Sequence, residues 1–271
     1  MAKNSAIDII LPYWGDVGLF KKTVESVLAQ TSNHWHLTIL DDCDPSPQAG
    51  DYIKSLNHPR MTYIRHASNI GITNNFNFAV EKASADFCAI VGCDDKLLPN
   101  YVETALRNIG EADFYQPGVD VIDVDDNSYL PTVDKIKRFL QPKKSGLYSG
   151  EQLAASLCKG NWLYFPSIVW KTSTLKKYRF DPRYKIAEDV IVELNLIKDG
   201  GILSFDTTTT FQYRRFSESL SSKEKKKGGV RFKEEAAVYD HFADEFSRIG
   251  WKKAARTARW RLISRIHQLV S

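Results

Sequence analysis

Phe87-Cys-Ala-Ile-Val-Gly-Cys-Asp-Asp95 is an apolar run that ends in two adjacent carboxylates. Its length, its Gly92 and the Leu97-Leu98-Pro99 break that follows suit a strand covered on both faces. In open α/β sheets, ligands collect beyond the carboxyl ends of such strands. Paired acids there repel each other unless a cation or a donor-rich partner lies between them. An isolated Asp-Asp is as often a solvated acidic loop, so the reading depends on its surroundings.

Outward from this run, strands and helices alternate. Ile7 to Pro12 reads as a first strand, stopped by Pro12-Tyr13-Trp14-Gly15. Val17 to Gln30 has apolar residues at helical spacing. His36 to Leu40 is a second strand that ends in Asp41-Asp42, and Asp44-Pro45-Ser46-Pro47 is a turn. Met61 to Ile64 is a third strand, and Asn69-Ile70-Gly71 opens a helix from about Thr73 to Ala83. This rhythm predicts a parallel sheet of the nucleotide-binding kind.

The middle is less regular. Tyr101 to Ile109 reads as a helix, Phe114-Tyr115 and Val119 to Asp123 as strands, and Asp125-Asp126-Asn127 as a hairpin turn. Ser149 to Cys158 is expected to be a helix with a capping box from Ser149 to Gln152. Ala187-Glu188-Asp189 opens a helix closed by Gly200-Gly201, and Leu203 to Tyr213 is strand-like. A Lys/Ser-rich loop from Ser221 to Gly229 precedes two helices.

The 271 residues are 43% hydrophobic and 12% aromatic, which supplies a core and argues against general disorder. Cys43, Cys88, Cys93 and Cys158 show no metal-ligand spacing and are expected to be reduced thiols. No leader-like or membrane-spanning run is evident, which predicts a cytoplasmic protein. The net charge of +4 is uneven: from Ser221 onward 13 Lys/Arg stand against 6 Asp/Glu, leaving the rest at −3. That balance does not suit a nucleic-acid binder.

Three acidic corners, Asp41-Asp42, Asp94-Asp95 and Glu188-Asp189, stand at the ends of expected elements. With Ile9-Ile-Leu-Pro-Tyr13, Ser26-Val-Leu-Ala-Gln-Thr31 and Asn69-Ile-Gly71 in the same order, the chain resembles the family 2 glycosyltransferases over residues 5 to 222. The resemblance implies an α/β fold of GT-A (Rossmann-like) type, with a mixed, mainly parallel central sheet flanked by helices. It implies a catalytic domain over 1–222, with a basic C-terminal helical extension over 223–271. The activity implied is inverting transfer of a sugar from a nucleotide-diphosphate donor, UDP-linked or dTDP-linked, to a glycan or polyprenyl-linked hydroxyl in bacterial surface polysaccharide synthesis.

The same resemblance assigns roles. Asp95 would ligate Mn²⁺ or Mg²⁺, and Asp94 would contact the ribose or a metal-bound water. Pro12 and Tyr13 would border the base, and Asp42 would accept from its ring N–H. Asn74 lies where the family often has an arginine for the diphosphate, and Arg214 or Arg215 would meet that charge. Asp189 would be the base, with Glu188 orienting it or bonding the acceptor. Trp162, Tyr164 and Phe165 resemble an acceptor wall, Trp162 foremost. Phe216 stands where a metal-ligating histidine is common, which puts metal dependence in question.

Trp251, Ala254, Ala255, Ala258, Leu262, Ile266 and Leu269 recur at helical spacing among Lys252, Lys253, Arg256, Arg259, Arg261 and Arg265. A basic amphipathic helix predicts peripheral contact with an anionic membrane; packing on the body is the alternative. Two other readings compete with the transferase. A catalytically weak sugar- or nucleotide-binding module would fit the missing histidine. A nucleotidyltransferase would ordinarily show a Gly-rich basic loop after strand one, which Pro12 to Asp16 lacks.

Overall fold

A computed structural model describes residues 5–184, 187–215 and 230–260, with side chains from residue 234 in the last segment. Among them, nine strands form one sheet: β1 (Ile7–Tyr13), β2 (Trp35–Asp41), β3 (Met61–Arg65), β4 (Phe87–Ile90), β5 (Lys96–Leu97), β6 (Phe114–Ile122), β7 (Gly146–Ser149), β8 (Val169–Lys171) and β9 (Ile202–Arg214). The helices are α1 (Val17–Leu28), α2 (Gln48–Leu56), α3 (Ile72–Lys82), α4 (Tyr101–Asn108), α5 (Thr132–Leu140), α6 (Gly150–Lys159), α7 (Thr172–Leu175), α8 (Glu188–Lys198), α9 (Val230–Arg248) and α10 (Lys252–Trp260).

The strand order is β3-β2-β1-β4-β8-β6-β9-β5, with β7 joined to β9. Strands β1, β2, β3, β4, β6 and β9 run one way, and β5, β7 and β8 the other. The mixed, mainly parallel α/β sheet expected from the sequence is therefore present. All seven residues of β1 and all four of β4 are buried, as strands covered on both faces require. Their side chains alternate between two cores: Ile7, Ile9 and Leu11 enter one, Ile10, Cys88 and Ile90 the other.

Two local expectations change. Pro12 does not stop β1 but lies inside it, opposite Leu40. Ile10 and Pro12 direct their backbone toward β4, which ends at Ile90 opposite Ile10, so the missing proline N–H leaves no ladder bond unmade. Ser149 is the N-cap of α6, but its side chain makes no capping bond, so the capping box does not form.

The C-terminal helices are not an appendage. Val238, Phe242 and Phe246 of α9, with Ala254, Ala255 and Ala258 of α10, bury in the core that α6 and α8 share. Glu151 Oε1 accepts from Lys253 N at 2.5 Å and Ala254 N at 3.3 Å, which caps α10. Lys252, Lys253, Arg256 and Arg259 remain exposed on its outer side. The division placed at residue 222, the Ser221 to Gly229 loop and the apolar positions from Leu262 onward lie outside the described residues.

Candidate functional site

The carboxyl ends of β1, β2 and β4 open on one corner, where three aspartates are held by short-range partners. Asp41 is fully buried and takes Arg65 Nη1 at 2.7 Å, the Tyr63 hydroxyl, and Asp44 N at 2.8 Å. Burial, then the Asp41 bond, pushes the Tyr63 hydroxyl up to about 12. Asp42 accepts Ile70 N at 2.7 Å and Gly71 N at 3.0 Å, one on each oxygen, and so ties the loop before α3 to β2. Asp44 accepts Gly15 N at 2.8 Å and fixes the β1 loop. The role of Asp44 was not anticipated, although a turn aspartate that accepts from backbone is the signal for it.

That loop has one buried aromatic and one exposed. Tyr13, expected to border the base, is 1% exposed; its ring packs 4.5 Å from Phe20 and its hydroxyl donates to Gly15 O at 2.9 Å. Burial pushes that hydroxyl upward. Trp14, next to it, is 59% exposed and is the aromatic face this corner offers to a ligand. Tyr13 is the last residue of β1, and Trp14 lies just beyond the strand end.

The asparagines after Gly71 serve as struts. Asn74 Nδ2 donates to Ile70 O at 2.7 Å, Asn75 spans Leu40 O at 3.1 Å and His66 at 3.1 Å, and Asn77 bonds both ways with Phe180 at 2.9 Å. Asn74 is the exposed one of the three.

Asp94 and Asp95 follow β4 and fold back over Gly92. A Cβ on Gly92 would stand 2.6 Å from Asp95 Oδ2 and 3.0 Å from Asp94 Oδ1, so the missing side chain is what lets both carboxylates converge. Burial raises both carboxyls, and for Asp95 the charge of Asp94 adds to it. Two facing buried acids keep a proton between them unless a cation replaces it. Among the described residues no third His, Cys, Asp or Glu completes a cluster. Carboxylate oxygens are the ligand type that a hard divalent ion such as Mg²⁺ or Mn²⁺ takes.

Arg214 and Arg215 are adjacent on the chain and point to opposite sides. Arg214 has no exposed side-chain surface; its Nε donates to Asp94 O at 2.6 Å, its Nη1 to Asp123 O and to Val124 O at 3.2 Å, and its Nη2 pairs with Asp126 at 2.5 Å. Its backbone N–H donates to Asp95 Oδ1 at 2.8 Å. Arg214 is thus a clamp on the acidic turn, with its guanidinium committed to protein partners instead of facing a diphosphate. Arg215 makes a two-point contact with buried Asp134 of α5 at 2.6 and 3.1 Å, and its charge helps to lower the Asp95 carboxyl.

Beyond Arg215 lies the third corner. Lys137 of α5 is pushed down to about 8 by burial and by Arg215, and it feels Asp134, Asp189 and Glu193. Lys137 therefore feels both Arg215 and Asp189, and Arg215 in turn acts on Asp95. Glu188, 5% exposed, accepts from Thr73 Oγ1 at 2.5 Å and is raised to about 8 by burial. Thr73 stands two residues past the loop held by Asp42, so the first and third corners are joined through α3. Asp189 is half-buried, with Val190 N on its Oδ1 at 2.8 Å.

Trp162, expected foremost on the acceptor wall, is fully buried. Its Nε1 donates to Ser156 at 2.9 Å and its ring meets Phe205 edge-on at 5.6 Å. A ring with no exposed face has nothing to stack a sugar on, so Trp162 is corrected to a core residue. Tyr164 and Phe165 are also buried, Tyr164 donating to Asp134 at 2.8 Å. Phe216 lies outside the described residues.

Comparison with known proteins places these corners in context. The profile described as "Glycosyl transferase family 2" matches residues 8–172. WcaA of Escherichia coli (strain K12), named as a candidate colanic acid biosynthesis glycosyl transferase, is 28% identical over 207 residues, covering 74% of this chain and 69% of WcaA. The succinoglycan biosynthesis protein ExoW of Rhizobium meliloti (strain 1021) is 24% identical over 68% of this chain and 61% of its own. Among solved structures, S. aureus TarS 1-349 in complex with UDP-GlcNAc superposes with a TM-score of 0.66 at 15% identity, over 86% of this chain and 65% of that one. The chain thus spans less than two thirds of ExoW and of the TarS fragment.

Proposed function

Because the chain belongs to glycosyl transferase family 2, we propose that it moves a sugar from a UDP-sugar, with inversion, to a hydroxyl of a glycan or polyprenyl-linked glycan in bacterial surface polysaccharide synthesis. The observation that carries this reading is the linkage of the three corners. Asp42 reaches Glu188 through hydrogen bonds of the Gly71 loop and Thr73, and the charge of Arg215 acts on both Asp95 and Lys137, which also feels Asp189. The names of WcaA and ExoW, and the UDP-GlcNAc complex of TarS, support the choice of donor and pathway class.

In this reading Trp14 lies over the base, and Asp42, with lone pairs beyond those its two amides use, accepts from the base N–H. Asp95, with Asp94 beside it, would hold Mg²⁺ or Mn²⁺. A bound divalent ion there would neutralise the charge that develops on the departing diphosphate. Arg214 keeps the acidic turn rigid, and Arg215 adds positive potential from the α5 side. Asp189 takes the proton of the acceptor hydroxyl as that oxygen bonds to the anomeric carbon, opposite the leaving nucleotide. Glu188, raised to about 8, is largely protonated at neutral pH and fixes the start of α8 against α3.

The test measures UDP release from UDP-glucose, UDP-galactose and UDP-GlcNAc, with and without Mn²⁺. Asp189→Asn is expected to lose turnover by about 10²–10⁴-fold while still binding UDP. Full turnover in that variant removes Asp189 as the base.

The exposed basic side of α10 is proposed to touch anionic lipid. Its alanine face is already buried, so the contact is electrostatic and not by insertion. Changing Lys252, Lys253 and Arg256 to Glu should abolish flotation with anionic vesicles at low salt. Unchanged flotation excludes the contact.

A further inference from the structure

Helix α8 carries a third acid that the proposed reaction does not use. Glu193 follows Asp189 by four residues, which puts both on one face of the helix. It is 1% exposed. Its Oε2 accepts from Asn161 Nδ2 at 2.8 Å, and its Oε1 is buried with no hydrogen-bond partner among the described residues. Asn161 also holds the Leu163 N–H, on its Oδ1 at 3.0 Å, so it joins α8 to the segment after α6.

The surroundings are short of positive charge. Lys137 faces Glu193 from α5, but its ammonium is bound to Leu163 O at 2.5 Å and lies near Arg215 and Asp134. Tyr239 of α9 is buried and feels Glu193, together with Glu235 and Asp189. An ionised carboxylate with one bare oxygen is costly in such a place. A protonated one carries no charge, which removes the larger part of that cost. Burial and the charge of Asp189 both push the Glu193 carboxyl well upward, in agreement with the geometry.

We propose that Glu193, held by Asn161, is a positioning residue that keeps Asp189 in its working place only while Glu193 carries its own proton. This rests on Asp189 being the base. Ionisation of Glu193 would draw Lys137 off Leu163 O or part α8 from α5, and either movement shifts Asp189.

The experiment follows UDP release from the three UDP-sugars into water between pH 6 and 10, on the full chain. Glu193→Gln, a copy of the neutral acid, should stay within about threefold of wild type at pH 7 and carry activity at least one pH unit further into alkali. Glu193→Leu and Asn161→Leu should each lose about tenfold or more in kcat with donor KM within about twofold. Thermal unfolding gives a second readout that needs no turnover. A carboxyl raised on folding loses stability as pH climbs from its ordinary value through its folded one, so wild type should melt progressively below Glu193→Gln as pH rises from 5 to 9.

An alkaline limb in Glu193→Gln that superimposes on wild type overturns the proposal and assigns that limb to Lys137. Parallel melting curves overturn it as well. Full turnover in Asp189→Asn removes the base and the positioning role together. Lost turnover there, with the Glu193→Gln limb unmoved, removes the positioning role alone.

Discussion

The corner beyond β1 and β2 and the corner between α5 and α8 are built from the same residue types in opposite conditions. At the β1–β2 corner, Asp41, Asp42 and Asp44 are buried, yet their carboxylates are met by backbone amides, a tyrosine hydroxyl and an arginine. At the α5–α8 corner, Glu188 and Glu193 are equally buried, but Glu193 has an oxygen with no hydrogen-bond partner among the described residues, and both carboxyls are pushed up. A buried acid met by several hydrogen bonds acts as a fixed strut; one that lacks them is pushed toward holding its proton. In the proposed reaction the second corner is where a proton moves. The carboxyls of Asp94 and Asp95 are also pushed up by burial.

Four changes would break or sharpen this contrast. The largest effect is expected at Gly92. Gly92→Ala sets a methyl group within 3 Å of both acids, and should cut Mn²⁺-supported UDP release by about 100-fold with the fold intact by circular dichroism. Turnover and Mn²⁺ affinity like wild type would show that the convergence over Gly92 is not where charge is neutralised. Asp42→Ala leaves two loop amides unmet and should destabilise by about 1–3 kcal/mol in urea titration, with weaker UDP binding. A change in binding without one in stability would make Asp42 a ligand contact and not a strut.

Glu188→Gln probes the other corner. Its carboxyl rises from an ordinary 4.5 to about 8 on folding, so the native state holds the extra proton between these values. Stability should fall as pH climbs through that window in wild type, and the part due to Glu188 should vanish in the variant, on the order of 3 kcal/mol between pH 5 and 8. Equal slopes in pH-dependent melts would show that folding does not raise the Glu188 carboxyl. The smallest effect is expected at Trp162. Trp162→Phe loses one hydrogen bond to Ser156 and part of a ring, about 1 kcal/mol by denaturation, with UDP release within about twofold. A large rise in acceptor KM would return it to the acceptor wall.

The same contrast explains what the sequence made legible. Strands β1, β2 and β4, and helices α3 and α8, announce themselves through runs and periods that are local in the chain. The acidic corners were visible because each stands at the end of such an element. Helix α5 was not visible: its one fully buried residue is Asp134, while Phe139 is 79% exposed, so its pattern is inverted. Strand β7 is a short edge with mostly exposed residues and no alternation. On α5 and α8, Asp134, Lys137 and Glu193 acquire meaning only through partners tens of residues away. Arg214 and Arg215 were legible in part, since neighbouring strand residues face opposite ways. Which of them turns inward depends on Asp94, Asp123 and Asp126, and those contacts are non-local. Trp162 was ambiguous because an aromatic suits a sugar and a core equally well.

The account stands on Asp95 and Asp189 facing one donor from opposite ends. Crystals grown with UDP-sugar and Mn²⁺, with data collected at the manganese edge, address this directly. The anomalous peak is expected between the Asp94–Asp95 pair and the diphosphate, with the anomeric carbon turned toward Asp189. A peak at another site, or a sugar whose anomeric carbon faces away from Asp189, would contradict it.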